Sequence, residues 1–216
     1  MRHLLTLGAA VVVLAGCASG GGGIRINQPV EATPSAPASS APVQVLFESG
    51  RDAEVVSRTS SPSVPSDDVW FGAQSLLRVG QRAEAIEQFR RLRDTAQSDG
   101  FRRAADVALA RLNDQPDALS IAQEAAAASP NDPFVQFEAG IVFSFRGDHA
   151  QAARAFDAAV NASPMLAYAY YHSGLAYGQI ERPDMTITRL EVFVRLAPLA
   201  PERPQVESIL RSARGR

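Results

Sequence analysis

From Ser66 onward, apolar residues recur three and four places apart, the spacing that lines one face of a helix, and the helical stretches themselves recur. The clearest unit spans 133–166, PFVQFEAGIVFSFRGDHAQAARAFDAAVNASPML, with Gly140, Phe143, Gly147, Ala152, Phe156, Ala159 and Pro164 at its key places. The next, 167–200, carries Tyr170, Gly174, Tyr177, Leu190 and Pro198 in the same register, but has Thr186 and Phe193 where the unit before it has Ala152 and Ala159. Two earlier copies are weaker. Residues 66–98 hold Trp70, Ala73, Leu76, Gly80, Ala85 and Phe89; residues 99–132 hold Leu109, Ala118, Ala122, Ala125 and Pro130, with Asp106 where a small residue is expected. One small position marks the period: Ala85, Ala118, Ala152 and Thr186, spaced 33, 34 and 34.

Each unit predicts two antiparallel helices that cannot bury their apolar faces alone and so must stack. Gly80 and Gly147 are expected to take left-handed turns after a first helix, and Pro130, Pro164 and Pro198 to stop a second one. Asn131 or Asp132 can cap the helix that Pro133 begins. The final stretch, 201–216, places Val206, Ile209 and Leu210 on one side and charges elsewhere, which predicts a solvating helix at the end of the stack. The fold class expected is all-α, a solenoid of about four helical hairpins plus a C-terminal capping helix, about nine helices in all.

The residues before Ser66 read differently. Arg2 and His3 precede an apolar run, Leu4–Leu14, shorter than the ~20 residues that span a bilayer, and this reads as a secretion signal over 1–16. Residues 17–65 then form a linker. Between Ala18 and Pro65, Gly, Ser, Pro and Ala supply 26 of 48 residues, too little apolar surface to offset the entropy of ordering. Within it, Val43–Phe47 and Val55–Val56 flank a Gly50-Arg51-Asp52 turn. Residues 43–58 are thus compatible with a short β-hairpin, which alone would be marginal and would dock on the helical domain, or with a sticky stretch of linker.

The 34-residue period and its small, aromatic and Pro places resemble the tetratricopeptide (TPR) repeat over residues 66–200. Leu14-Ala15-Gly16-Cys17 resembles the lipobox of bacterial lipoproteins. That resemblance implies a diacylglycerol-modified Cys17 at the mature amino terminus, and Ala18 rather than Asp after it implies outer-membrane sorting in a Gram-negative host. Together they describe a bacterial TPR lipoprotein similar to envelope assembly adaptors such as pilus pilotins: extracytoplasmic, lipid-anchored and facing the periplasm.

Composition removes several function classes. All 21 basic residues are Arg and the net charge is −2, so no overall field draws nucleic acid. One Cys and three His leave no disulfide framework and no Cys/His metal site. None of the usual catalytic motifs is present (HExxH, GxSxG, the phosphate-binding glycine loops, CxxC) and the carboxylates suit helix starts and exposed faces. No catalytic residue, metal, cofactor or small-molecule substrate is therefore expected. The Arg90, Arg91, Arg93, Arg102, Arg103 and Arg111 group, offset by Asp94, Asp99 and Asp106, reads as a solvated face.

What remains is the concave face. The TPR resemblance assigns to it Trp70, Gln74 and Leu77; Phe134, Phe137, Ile141 and Phe145; and Tyr168, Tyr171, Leu175 and Gln179, with His172 beside them. Phe134, Phe137, Ile141 and Phe145 form one helical stripe. An aromatic groove of this kind suits an apolar peptide or a partner helix. The competing reading is that these aromatics are core, or are covered by the chain's own 43–56 patch. Two roles are compatible with such a groove: a non-catalytic scaffold for an envelope machine, or an adaptor that recruits a periplasmic peptidase or peptidoglycan hydrolase.

Overall fold

The computed structural model describes residues 40–214, all within one unit, Ser39–Arg216. Among them are eleven helices and no strand: α1 (Val43–Glu48), α2 (Asp52–Thr59), α3 (Ser66–Arg78), α4 (Arg82–Thr95), α5 (Asp99–Leu112), α6 (Ala118–Ala128), α7 (Pro133–Phe145), α8 (His149–Ala162), α9 (Ala167–Gln179), α10 (Pro183–Leu196) and α11 (Arg203–Arg214). From α3 to α10 they form four antiparallel hairpins, each packed on its neighbours in chain order, and α11 closes the end against α10. The fold is an all-α, TPR-like helical-hairpin solenoid.

The period is written in the backbone. After each first helix, one residue takes a left-handed conformation: Gly80 (φ 81°), Asp114 (φ 52°), Gly147 (φ 79°) and Glu181 (φ 58°), spaced 34, 33 and 34. At Asp114 and Glu181 a side chain accepts the steric cost that Gly avoids, because the turn must reverse the chain at that place in every hairpin. Helix starts follow ordinary capping physics. Asp132 accepts from the backbone N–H of Phe134 and Val135 (3.1 and 3.0 Å), Asp148 from that of Gln151 (2.9 Å), and Ser98 from that of Gly100 (3.1 Å).

Residues 43–58 are not a β-hairpin. They form the helical pair α1/α2, turned at Gly50 (φ 70°), and α2 packs on α3 as one repeat packs on the next. The Val-rich run favours strand only weakly, because strand propensity yields to context. The buried residues Val43, Leu46 and Phe47 sit at i, i+3 and i+4, which is helical spacing. Gly50-Arg51-Asp52-Ala53-Glu54-Val55-Val56 also parallels Gly80-Gln81-Arg82-Ala83-Glu84-Ala85-Ile86, and Val55, like Ala85 and Ala152, is fully buried. The segment is a fifth, truncated hairpin whose first helix has six residues where the others have thirteen or fourteen.

Candidate functional site

The first helices of the hairpins turn their large side chains inward, where they meet one another. Trp70 on α3 sets its ring edge-on to Phe71, Phe134 and Phe137, at 5.0–5.2 Å between centroids. Phe134 continues to Phe101 (4.6 Å). Phe137 continues to Phe156 (5.7 Å) and His172 (5.4 Å). His172 stacks on Phe156 (5.3 Å) and meets Tyr171 edge-on (5.1 Å), and Tyr171 and Tyr168 both reach Phe193. One aromatic ladder thus runs from α5 to α10, and its offset and edge-on geometry is the favourable one for rings.

The residues assigned to the groove divide accordingly. Trp70 is 0% exposed, Phe137 3% and Tyr168 5%, so these three are core. Phe134, Ile141, Tyr171, His172 and Leu175 are half-buried, as are Gln74 and Leu77, while Gln179 is exposed. Phe145, at 76% exposure, stands free of the ladder, with the Arg111 guanidinium 5.8 Å from its ring centroid. The open trough expected from the repeat pattern is therefore largely filled, because side chains of this size close the space between adjacent first helices. Cys17 lies outside the described residues.

The chain's own α1 completes the closure. Phe47 is wedged between Phe71 (5.3 Å) and Tyr168 (4.9 Å). The Arg78 guanidinium lies 4.0 Å from the Phe47 ring centroid and 4.7 Å from that of Tyr168, and Arg78 Nη1 donates to the Phe47 carbonyl (2.9 Å). Gln44 donates to the Met165 carbonyl (2.8 Å). The Glu48 carboxyl accepts from Gln44 (2.9 Å); burial raises its pKa above the usual carboxylate range, against the opposing influence of Gln44 and the Ala167 backbone. So α1 bridges the first full hairpin (α3) and the last (α9). Beside it remains a cavity of about 270 Å³, bordered by Phe47, Gln74, Arg78, Tyr171, His172 and Glu202.

Two polar features of the interior were not anticipated. Glu138 on α7 is fully buried; it accepts from Trp70 Nε1–H (3.0 Å) and Gln74 (2.5 Å) and pairs with Arg111 (3.3 Å). Burial raises its pKa despite Arg111 and these donors. Its place was readable: Glu138 follows Phe134 by four residues and so shares the inward stripe. Tyr168 donates to Glu202 (2.6 Å), tying α9 to the segment before α11. Burial, with the Arg111 and Arg78 charges, lowers the His172 pKa to about 4, so the ring is neutral near pH 7 and acts as an aromatic packing unit.

The Arg group on α4 and α5 is spent locally. Arg90 pairs with Glu87, Arg93 with Asp94 and Arg102 with Asp99. Arg91 donates to the Thr59 carbonyl (2.8 Å), Arg103 to Ser129 Oγ (2.8 Å), and Arg111 holds Glu138. Among the described residues, no cluster of His, Cys, Asp and Glu is arranged to hold a metal ion, and no helix is long and apolar enough to cross a membrane.

No protein-family model matches the chain, and no curated protein does. Among solved structures it is similar to MamA from Desulfovibrio magneticus RS-1, residues 41 to the end, at 23% identity over 69% of this chain and 89% of that one, TM-score 0.44. It is similar to a MamA RS-1 double mutant at 21% identity over 69% and 93%, TM-score 0.43. MamA of AMB-1 follows at 15% identity over 71% and 94%, TM-score 0.41.

Proposed function

We propose that this chain is a non-catalytic protein–protein interaction scaffold, tethered to the bacterial envelope through a lipid on Cys17 and holding its helical domain on the periplasmic side of the outer membrane. The observation that carries the reading is the seat between α3 and α9, where the inner face grips a six-residue helix by its aromatic ring, carboxylate and main chain. A surface that holds a short helix in this way is suited to protein segments. Two further features support it. Among the described residues, Glu138, Arg111 and Glu202 are engaged in structural hydrogen bonds or ion pairs and His172 packs among rings, and these groups form no nucleophile–base set. Leu14-Ala15-Gly16-Cys17 supplies the anchor.

Photocrosslinking in cells tests this reading. A photoreactive residue at Phe145, which is exposed, or at Tyr171, at the cavity, should trap a discrete envelope protein, and Cys17→Ser should reduce the yield by releasing the chain from the membrane. If neither position traps a protein while the chain is folded and anchored, the scaffold reading fails. The identity of the trapped protein separates assembly of an envelope machine from recruitment of a peptidase or peptidoglycan hydrolase.

A further inference from the structure

We propose that the seat of α1 is an exchangeable binding site, and that its partner is a short helical segment of another protein carrying an aliphatic–aromatic–acidic triplet like Leu46-Phe47-Glu48. The inference rests on the scaffold reading and adds to it the place and the chemistry of recognition.

Three observations carry it. First, what the seat accepts can be read from its occupant. Phe71, Tyr168 and the Arg78 guanidinium enclose one aromatic ring. The Ala167 backbone lies beside a carboxylate, and Arg78 and the Met165 carbonyl engage a main-chain oxygen and a side-chain amide. Second, α1 is poorly equipped to stay. It has six residues and no side-chain cap, far below the length at which a helix holds itself together. It contributes only Val43, Leu46 and Phe47 to the core. Third, the seat is imperfectly filled. Asp52 Oδ1 and Arg78 Nη2 are buried without a hydrogen-bond partner, Arg78 Nε stands 3.7 Å from Asp52, and the 270 Å³ cavity opens beside Phe47. A longer helix entering from outside could fill that cavity and reach Gln74 and Glu202. The ladder from Trp70 to Phe193 does not pass through α1, so α1 can leave while the stack remains.

The test uses the full chain in detergent and a fluorescent peptide of residues 40–50, SAPVQVLFESG, read by anisotropy. A seat closed most of the time lowers apparent affinity by the fraction open. Phe47→Ala in the chain, which empties the seat, should therefore tighten peptide binding about tenfold or more. Phe47→Ala in the peptide should weaken it by roughly 30-fold, the change expected on truncating a buried aromatic anchor. Equal affinity for wild-type and Phe47→Ala chains, or no effect of the peptide substitution, overturns the proposal. Should the Phe47→Ala chain melt out, a Gln44→Cys, Met165→Cys pair in a Cys17→Ser chain gives the answer. Joining the two thiols with a short bis-maleimide must abolish peptide binding, and unchanged binding after joining refutes exchange. A concentration-dependent dimer that Phe47→Ala abolishes also overturns the proposal, because the occupant would then be a second copy of this chain. These affinities are measured without any cellular partner, so their failure is distinguishable from a failure of crosslinking in cells.

Discussion

His172 makes the stability of this domain depend on pH. Its pKa falls from the ordinary 6.5 to about 4, because a charged imidazole between the Phe156, Phe137 and Tyr171 rings would lose its hydration while facing the Arg111 and Arg78 charges. Between those two values the unfolded chain binds a proton that the folded chain refuses. The stabilising contribution is therefore complete above about pH 6.5 and is lost as pH falls toward 4. Working the linkage through, roughly 2 kcal/mol is lost between pH 7 and pH 5, and roughly 3 kcal/mol by pH 4. For a domain of this size, 2 kcal/mol corresponds to a drop of about 4–8 °C in melting midpoint. Glu138 and Glu48 work in the opposite sense: burial raises their pKa, so each favours the fold as pH falls. The informative quantity is accordingly the difference between wild type and His172→Phe, which keeps an aromatic ring and removes the titration. Melts from pH 7.5 to 4.5 should show the wild type losing stability faster than the variant by about 2 kcal/mol at pH 5. Parallel pH profiles for the two proteins would refute a neutral imidazole packed among these rings.

Three further outcomes are expected. Glu138→Ala leaves Trp70 Nε1–H, Gln74 and Arg111 facing one another without their acceptor, so chemical denaturation should show a loss of about 3–5 kcal/mol, against about 1–2 kcal/mol for Glu138→Gln; equal losses would mean the carboxylate is not the organising acceptor. Gly140→Ala places a Cβ 2.7 Å from the Phe156 ring at a helix crossing fixed on both sides, so it should cost about 1–3 kcal/mol, and an unchanged melt would show that the crossing is loose. Cys17→Ser should abolish acyl labelling and release the chain from the membrane fraction, and persistence of both would remove the anchor from the proposed function.

The solenoid was legible because it rests on periodic, local physics: small residues at helix crossings, Pro after second helices, and Asp132 at a cap. Where legibility failed, a residue did something its type rarely does. Asp114 and Glu181 adopt left-handed turns usually left to Gly, so two of the four reversals carried no glycine to announce them. Glu138 is a carboxylate at a core position, visible only by following the stripe from Phe134 without discarding a charged residue. Val43–Phe47 looked β-prone because three branched or aromatic side chains fall close together. The better guide was Gly50-Arg51-Asp52-Ala53-Glu54-Val55-Val56, which parallels the 80–86 stretch. The filling of the groove was hidden for another reason. Family position says which side chains point inward, but not whether rings on neighbouring helices are large enough to meet across the space. Here they are, and Trp70, Phe137 and Tyr168 became core.

That closure has a consequence for where a partner can be held. A stack of hairpins must cover an apolar face at each end, and this chain does so with its own material, α11 over α10 through Val206 and Leu210, and α2 over α3 through Val55 and Thr59. If capping were the whole purpose of the truncated hairpin, α2 would suffice. The six residues of α1 instead cross to the far end of the stack, where Gln44 and Glu48 meet Met165 and Ala167 and Gly50 comes against Pro201. The inner face is thus built from parts of unequal permanence. Trp70, Phe137 and Phe156 are locked among one another and cannot be bared without dismantling two hairpins, whereas Phe71, Arg78 and Tyr168 lose only Phe47 when α1 departs. In the scaffold proposed above, recognition by the inner face would therefore fall to this second set, with Tyr171 and Glu202 at its edge, and α1 is the element whose departure would uncover it.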